Sequence, residues 1–391
     1  MLEGVNVALG VSGSIAAVKV VELAHELRRR GASVRAVMTG SAQGIIHPWA
    51  VEFATENDVV TELTGRVEHV ELCGREGWAD VLLLAPATAN TVGKIASAVD
   101  DTPVTTCATT ALGADVPVVV APAMHEPMYD HPGVLDAIAR LEEWGVEFVD
   151  PRIEEGKAKI ATEEAIIIGV ATATTEQTLA GKRVVVTAGA TSEPLDPVRV
   201  LTNRSSGKTG RAVARACAIH GADVTLVHDG SARPADADVH YAEVRQAETG
   251  AEMLAAVEAA CRDADALISA AAISDFTVDA ADEKIRSGEP RTLDLEPTPK
   301  LIDTVRGEYP DLAIVGFKAE TSGDDEAMVK EARRILDRVG LAFVVANDAS
   351  VMGADETRTL FVRDGSADEF VGSKDALGGR VAAELAAELD G

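Results

Sequence analysis

Short, almost entirely apolar segments that alternate with helix-like segments constrain this chain more than any other feature of its sequence. In the first half they are VNVALGV at 5–11, DVLLLAPAT at 80–88 and VPVVVAPAM at 116–124. An antiparallel strand with one wet face alternates apolar and polar residues, whereas a strand buried on both faces does not. An amphipathic segment follows the first of them and ends at Gly31. The pattern predicts a parallel sheet that is covered by helices on both sides.

The same alternation begins again in the second half, after the Ala/Thr-rich stretch ATATTEQTLAG at 171–181. Because 391 residues exceed the size of one ordinary domain, we predict two doubly wound, Rossmann-like α/β domains, at residues 1–178 and 179–391. The apolar segments of the second domain are 182–190, 222–229, 264–272, 312–320 and 341–348, and they are followed by part of a C-terminal hairpin at 357–365.

Charge and composition exclude several classes of function. The formal net charge of −28 argues against a nucleic-acid-binding protein, which needs a basic face. Such an acidic, hydrated surface indicates a high-salt cytoplasm, as in a halophilic microbe. No apolar run is long enough to cross a bilayer, and MLEGVNVALG begins a strand instead of a basic signal peptide. We therefore expect a cytoplasmic protein. The four cysteines are widely spaced, and we expect them to be reduced thiols.

The first candidate site is the loop after the first strand. Ligands of α/β domains bind at the carboxyl ends of parallel strands, and GVSGSIAA at 10–17 joins such an end to a helix. Backbone N–H groups at a helix N-terminus favour a phosphate, and the lack of GxGxxG favours a mononucleotide over a dinucleotide. A serine–glycine turn can also serve backbone geometry alone, so this loop by itself leaves both interpretations open.

Three further segments resemble, in order and spacing, the homo-oligomeric flavin-containing cysteine decarboxylases: MTGSAQ at 38–43, APATANTVGKIA at 85–96 and APAMHEPMY at 121–129. The resemblance implies a flavoprotein fold with bound FMN. It also implies a catalytic histidine, His69, and substrate contacts at Met124 and His125. The positions that it implies for the cofactor are Ser12, Gly13, Ser14, Thr39, Ala42, Pro86, Ala87, Thr88, Ala89 and Asn90.

The chain departs from this family in two places. The family's PAMN motif reads PAMH here, with His125 in place of the asparagine. Bacterial members carry a flap cysteine that donates a proton late in the reaction, and the matching segment at 152–166, RIEEGKAKIATEEAI, has none. A desolvated lysine has a lowered pKa and can act as an acid. We therefore expect Lys157 or Lys159 to replace the cysteine, with His125 or water as alternatives.

The second domain contains LTNRSSGKTG at 201–210, whose Gly-Lys-Thr looks like a phosphate-binding P-loop. That motif needs a glycine five positions before the glycine of the Gly-Lys pair. Thr202 stands there, and its Cβ disfavours the turn. The P-loop interpretation therefore fails.

The longer stretch GATSEPLDPVRVLTNRSSGKTG at 189–210 resembles the signature of phosphopantothenate–cysteine ligases, and SAAAISDF, EKI, TPKLI, VGFKAET and VAND follow in matching order. The resemblance implies a ligase fold that uses CTP with Mg²⁺ and forms an acyl-cytidylate. It implies catalytic roles for Asn203 and Lys284, and substrate contacts at Arg199, Ser205 and Ser206. The positions that it implies for the nucleotide are Gly189, Ser269, Ala270, Ala271, Asp275, Lys284, Thr298, Pro299, Lys300, Leu301 and Phe317.

The bacterial ligases also place two lysines in the helix after GFKAET, where this chain has Ile335 and Val339. We expect Lys330, Arg333 or Arg334 to supply the missing positive charge from a neighbouring turn of the same helix.

The order of the two halves resembles the bifunctional phosphopantothenate–cysteine ligase and phosphopantothenoylcysteine decarboxylase family of coenzyme A synthesis, in an archaeal-like, halophilic form. The implied partners are 4′-phosphopantothenate, cysteine and CTP, with no nucleic acid and no membrane. The family also implies a homo-oligomer with trimeric flavin domains and dimeric ligase domains, and a dodecamer would satisfy both. The motifs identify no metal-binding residue, and they leave the choice between CTP and ATP open.

Three other functions compete with this one: a non-enzymatic regulatory subunit, a flavin prenyltransferase-like first half, and a nicotinamide reductase. His69 and the complete second half weigh against the first two, because neither class needs them. No GxGxxG opens either half, which weighs against the reductase.

Overall fold

The computed structural model describes residues 1–229, 239–288, 290–320, 324–348 and 356–390. The chain divides into two compact units, Met1–Glu176 and Gln177–Gly391. Each unit contains a sheet of parallel strands with helices, so the predicted α/β class is confirmed. In the described part of the chain, no helix is long and apolar enough to cross a membrane.

The first unit alternates strands and helices along the chain. Its strands are β1 (Asn6–Val11), β2 (Ser33–Met38), β3 (Val81–Ala87), β4 (Val118–Pro122), β5 (Met124–His125), β6 (Glu147–Phe148), β7 (Arg152–Glu154) and β8 (Lys157–Lys159). Its α-helices are α1 (Val20–Arg29), α2 (Gly40–Gln43), α3 (Pro48–Thr55), α4 (Glu68–Cys73), α5 (Ala89–Ala96), α6 (Pro103–Gly113), α7 (Glu126–Tyr129), α8 (Pro132–Glu143) and α9 (Glu163–Thr174), and a short 3₁₀ helix (Ile15–Lys19) precedes α1.

The main sheet of this unit has the order β2-β1-β3-β4-β6, and its neighbours pair in parallel. The chain moves from β1 to one side for β2 and then to the other side for β3. A ligand crevice is expected where the strand order reverses in this way. Strands β3 and β4 are buried at every residue, as their unbroken apolar sequences predict.

The second unit repeats this plan with a wider sheet. Its strands are β9 (Arg183–Ala188), β10 (Ser192–Pro194), β11 (Val200–Thr202), β12 (Asp223–His228), β13 (Glu243–Gln246), β14 (Ala266–Ser269), β15 (Phe276–Thr277), β16 (Glu296–Pro297), β17 (Ala313–Glu320), β18 (Phe343–Asp348), β19 (Glu356–Arg363) and β20 (Ser366–Ser373). Its helices are α10 (Lys208–Ile219), α11 (Gly250–Cys261), α12 (Leu301–Glu308), α13 (Asp325–Val339) and α14 (Lys374–Leu389).

The order in this sheet is β13-β12-β9-β14-β17-β18-β19-β20. The strands from β13 to β18 pair in parallel, and β19 and β20 add the predicted antiparallel hairpin. The order reverses between β9 and β14, so a crevice is expected at their carboxyl ends. Two smaller antiparallel pairs, β10 with β11 and β15 with β16, are formed by segments that follow β9 and β14.

One acidic side chain is partly buried at the edge of the first sheet. Glu147 lies on β6, where α9 passes so closely that a Cβ on Gly169 would lie 3.3 Å from Glu147 Oε1. Burial raises the pKa of the Glu147 carboxyl from 4.5 to about 7. The ionised form therefore costs stability. That cost is absent below pH 4.5, grows as the pH rises, and is complete above pH 7.

Glu147→Gln should therefore stabilise the first unit at high pH. The gain is expected to be small near pH 5 and to reach about 2–3 kcal/mol above pH 7, where the parent carries the buried charge. Thermal unfolding of the full chain between pH 5 and 8.5 measures it. The exposed Glu143, changed to Gln, is the matched control and should show no pH-dependent gain. A pH-independent effect of Glu147→Gln would contradict the raised pKa.

Candidate functional sites

The crevice of the first unit is held together by Ser12, which follows β1. Its N–H and its hydroxyl both donate to the carbonyl of Pro86, at 3.2 and 2.7 Å. Its Oγ accepts from the N–H of Thr88 at 3.1 Å. The side chain is almost fully buried. Ser12 therefore joins the ends of the two strands between which the strand order reverses.

Gly13 brings the loop after β2 against the loop after β1. A Cβ at this position would lie 2.4 Å from the Oγ of Ser41, so only glycine allows the approach. Thr39 begins α2 by accepting from the N–H of Ala42 at 3.2 Å, and its hydroxyl lies 3.1 Å from Ser41 Oγ. The two loops thus form one surface at the carboxyl edge of the sheet.

The remaining hydroxyls predicted to bind the cofactor also build these loops. Ser14 donates to the carbonyl of Ala123 at 3.1 Å, and Thr88 begins α5 by accepting from the N–H of Thr91 at 3.2 Å. Of the other predicted positions, Ala42, Pro86 and Ala87 are buried, Ala89 is half-buried and Asn90 is exposed. The structure therefore brings the predicted segments together at one edge.

His69 is the second residue of α4 and is half-buried. Its Nδ1 atom is buried without a hydrogen-bond partner among the described residues. Buried polar atoms are normally paired. The Nδ1 atom of His69 therefore keeps an unused capacity to accept or to donate one hydrogen bond.

The flap segment forms a small antiparallel sheet with the PAMH motif, in the order β5-β8-β7. Within it, His125 lies opposite Lys157. Lys157 is exposed. Lys159 Nζ pairs with Glu154 at 3.0 Å and with Glu155 at 3.1 Å, and these hydrogen bonds raise the pKa of Lys159. The expectation of a lowered pKa is therefore wrong for Lys159.

The crevice of the second unit is a cleft of about 490 Å³ that includes the carboxyl ends of β14, β17 and β18. Thr187 holds its floor, because its Oγ1 accepts from the N–H groups of Ala270 and Ala271, both at 3.1 Å. The predicted residues that line the cleft are Ser205, Ser206, Ser269, Ala270, Ala271, Asp275, Thr298, Pro299, Lys300, Leu301 and Phe317.

Four predicted residues are not among those that line the cleft. Asn203 is exposed beside it and donates to the carbonyl of Ala272 at 3.1 Å. Gly189 has φ of +90° and leaves no space for a Cβ, which would lie 1.9 Å from Asp229 Oδ1. Arg199 is bound to Asp196, and Lys284 is exposed.

The glycine that suggested a P-loop has a packing role. Gly207 has φ of +67°, and a Cβ there would lie 2.8 Å from the backbone nitrogen of Gly189. Glycine therefore lets the turn before α10 lie directly against the end of β9.

The lining of the cleft is basic although the chain is strongly acidic. Among the described residues, seven basic side chains line it and only three acidic ones, Asp275, Asp303 and Glu331. The chain as a whole carries a net charge of −28. The basic set is Arg204, Lys208, Lys300, Lys318, Arg334, Arg338 and Lys374. A local excess of positive charge in such a chain favours a polyanionic ligand.

Each of the three acidic side chains is paired with a basic one. Lys300 pairs with Asp275, and Arg338 pairs with Asp303. Arg334 contacts both oxygens of Glu331, at 2.6 and 2.8 Å. These ion pairs are at least partly solvent-exposed, and such pairs are weak. A phosphate that offers several charged oxygens can compete for the same donors.

Helix α13 contributes two arginines to the cleft. Of the three predicted candidates, Arg334 lines it, whereas Lys330 and Arg333 do not. Arg338, which the sequence analysis missed, is the second. The spacing of four residues from Arg334 was the available signal, because it places both side chains on one face of a helix. Ile335 also lines the cleft, and Val339 is buried.

Two family models match the chain, one for each unit. The model described as "Flavoprotein" matches residues 1–175. The model described as "DNA/pantothenate metabolism flavoprotein C-terminal domain" matches residues 179–389.

Three relatives named "Coenzyme A biosynthesis bifunctional protein CoaBC" are similar over nearly the whole chain. The protein of Thermococcus kodakarensis is 50% identical over 365 residues, which cover 92% of this chain and 89% of that protein. The Methanocaldococcus jannaschii protein is 34% identical and covers 97% and 93%. The Bacillus subtilis protein is 34% identical and covers 93% and 92%.

Proposed function

This chain belongs to the family of coenzyme A biosynthesis bifunctional proteins, and we propose that it catalyses two consecutive steps of that synthesis. The second unit joins 4′-phosphopantothenate to cysteine with CTP. The first unit decarboxylates the product, 4′-phosphopantothenoylcysteine, to 4′-phosphopantetheine with FMN. The observation that carries this proposal is the basic cleft in an otherwise acidic chain, in the unit that matches the family model for the DNA/pantothenate metabolism flavoprotein C-terminal domain.

In the ligation step, the carboxylate of 4′-phosphopantothenate attacks the α-phosphate of CTP and releases pyrophosphate. The amine of cysteine then attacks the acyl carbon of the acyl-cytidylate and displaces CMP. The triphosphate lies among Lys300, Arg334 and Arg338, whose charges oppose its own. Mg²⁺ belongs to the same proposal, because phosphoryl oxygens in such reactions share their charge with a metal ion.

Four further residues act in the ligation step. Asn203 is held by the carbonyl of Ala272, next to the cleft lining, and orients this intermediate. Lys284 neutralises the charge that develops on the phosphates as pyrophosphate leaves. Ser205 and Ser206, in the turn before α10, contact the substrate or the nucleotide.

FMN fits the edge of the first unit. Gly13 and Ser41 meet there without space for a Cβ, so the loops after β1 and β2 pack against each other and form one surface for the cofactor. The residues that would hold FMN are those of the loops after β1, β2 and β3, with phosphate at the N-terminal loop of the 3₁₀ helix. When bound, FMN supplies the reversible oxidation of the substrate's cysteine thiol, which makes loss of carbon dioxide easy.

His69 acts on the substrate in this step as a base or as an electrostatic guide for the carboxylate. Its support is the buried Nδ1 atom, which lacks a partner among the described residues. Met124 and His125 contact the substrate from β5, and the paired flap strand β8 closes over it.

We also propose that copies of the chain associate through the first unit. Large apolar side chains on α3 are open to solvent: Trp49 is 75% exposed and Phe53 is 76% exposed. Exposed apolar patches of this kind are typical of interaction surfaces.

The test of the two-step proposal is incubation with 4′-phosphopantothenate, cysteine and CTP, followed by mass analysis. The parent should yield CMP, pyrophosphate and 4′-phosphopantetheine. His69→Asn should stop at 4′-phosphopantothenoylcysteine with its flavin absorption bands unchanged, because the ligation unit is intact. Carbon dioxide release at the parent rate by this variant would contradict the role of His69.

The same product analysis distinguishes the roles of the two flap lysines, Lys157 and Lys159. Lys157→Met should let the decarboxylated enethiol accumulate, because the residue opposite His125 is proposed to donate the last proton. Lys159→Met is the matched control and should turn over normally, since its ammonium is held by two glutamates. Full turnover by Lys157→Met would transfer the role of acid to His125 or to water.

Arg338→Ala should raise KM for CTP by about tenfold or more, because a hydrogen bond to a charged group contributes about 1.5–3 kcal/mol. Arg333→Ala removes the same charge from the same helix outside the cleft and should leave KM for CTP unchanged. Decarboxylation of supplied 4′-phosphopantothenoylcysteine should proceed normally in both. Equal effects of the two changes on KM would show that only the overall charge matters.

A further inference from the structure

We propose that the buried carboxylate of Asp196 is a positioning residue for ligation. Together with Arg199, it holds both backbone groups of Ile285 and thereby places Lys284, the adjacent residue. The proposal rests on the function proposed above for Lys284, and it adds a residue that none of the sequence motifs assigned to a role.

The carboxylate of Asp196 is saturated with hydrogen bonds, and its side chain is completely buried. Oδ1 accepts from the N–H groups of Val198 and Arg199, at 2.8 and 2.9 Å. Oδ2 accepts from Arg199 Nε at 2.9 Å and from the N–H of Ile285 at 3.0 Å. The hydrogen bond from Arg199 holds the pKa of Asp196 well below its usual range, so the group stays ionised.

The two oxygens have different partners. Oδ1 closes a turn within its own segment, where Leu195 also donates to the carbonyl of Arg199 at 2.8 Å. Oδ2 reaches across to a segment that is 89 residues away in sequence. The guanidinium of Arg199 completes the contact by donating to the carbonyl of Ile285. Both backbone groups of Ile285 are therefore bound by one ion pair, in which Asp196 is buried and Arg199 is partly exposed.

We call the contact of Asp196 and Arg199 with Ile285 the clamp. It matters because regular secondary structure does not hold the segment around Ile285. Among the described residues, none between 278 and 288 belongs to a helix or a strand. Besides Ile285, the N–H of Ala281 donates to the carbonyl of Leu195 at 3.0 Å, which is the same turn. A backbone without a ladder of its own takes its position from such contacts. The position of Lys284 thus follows from Asp196 and Arg199.

The turn that contains Asp196 and Arg199 also leads to Asn203, the other residue that we propose acts in ligation. Arg199 is followed directly by β11, which pairs with β10 and ends one residue before Asn203. Asp196 therefore connects the segment that carries Asn203 with the segment that carries Lys284. Displacement of a reacting group by about 1 Å can cost on the order of a hundredfold in rate. The clamp would prevent such a displacement of Asn203 and Lys284.

A buried carboxylate can also serve stability alone, and Glu193 provides that comparison within the same segment. It is 4% exposed and accepts from the N–H of Gly250 at 2.8 Å and from the hydroxyl of Thr277 at 2.9 Å. Neither partner is a proposed catalytic residue. Glu193→Gln is therefore the matched control for Asp196→Asn, because both changes neutralise a buried carboxylate with little change in shape.

Asp196→Asn keeps an oxygen for the turn and places an amide NH₂ where Oδ2 accepted from Ile285 and Arg199. Ligation is followed as pyrophosphate release at saturating CTP. We expect kcat to fall by about tenfold to a hundredfold, with KM for CTP within about twofold of the parent. Glu193→Gln should leave kcat unchanged, and both variants should decarboxylate supplied 4′-phosphopantothenoylcysteine normally. A normal kcat for Asp196→Asn would overturn the proposal.

A double variant distinguishes a positioning role of Asp196 from a general loss of structure. If Asp196 acts through Lys284, Asp196→Asn in a Lys284→Gln background should cause no further loss, whereas independent effects multiply. Multiplying losses would overturn the proposal. If Asp196→Asn does not fold, Arg199→Lys, which loses the planar fork that reaches Ile285, should show the same lack of further loss. Normal ligation by Lys284→Gln alone would instead overturn the role of Lys284, and no ligation by the parent would overturn the proposed function.

Discussion

Both units depend on one hydroxyl side chain at the point where the strand order reverses. A crevice at this point leaves backbone groups of two neighbouring strand ends without ladder partners, and these groups need hydrogen bonds from elsewhere. In the first unit, Ser12 binds the carbonyl of Pro86 and the N–H of Thr88. In the second unit, Thr187 binds the N–H groups of Ala270 and Ala271. The loops that carry the proposed ligand contacts follow directly from these anchors.

The second constraint is electrostatic. A chain with a net charge of −28 repels a triphosphate at a distance unless part of its surface is positively charged. The cleft does so with arginines and lysines that are contributed by several elements, among them α10, α13 and α14. Its acidic side chains are paired with some of these bases, so they also limit repulsion between like charges before the nucleotide binds. Binding of a phosphate then exchanges one set of ion pairs for another.

The sequence predicted the fold well, because an apolar segment such as 80–88 is informative wherever a strand is buried on both faces. It also predicted which loops meet, since the carboxyl ends of parallel strands share an edge. It could not predict individual partners. Lys159 is paired with Glu154 and Glu155 by the geometry of a hairpin, and Arg338, not Arg333, lies on the cleft face of α13. Asp196 was missed because its partner Ile285 is distant in sequence.

Burial shields the cysteines of the chain from the thiol oxidation that we propose for the first unit. In the proposed reaction, the first unit oxidises a thiol of its substrate. Only the thiolate form of a cysteine reacts readily in such chemistry. All four cysteines of the chain are buried. Burial raises the pKa of Cys217 and of Cys261 to about 12, and contact with Cys73 together with burial raises the pKa of Cys107. At neutral pH Cys107, Cys217 and Cys261 therefore remain thiols. The flap at 152–166 also has no cysteine. In the proposed reaction, the reactive sulfur at the edge of the sheet is therefore that of the substrate.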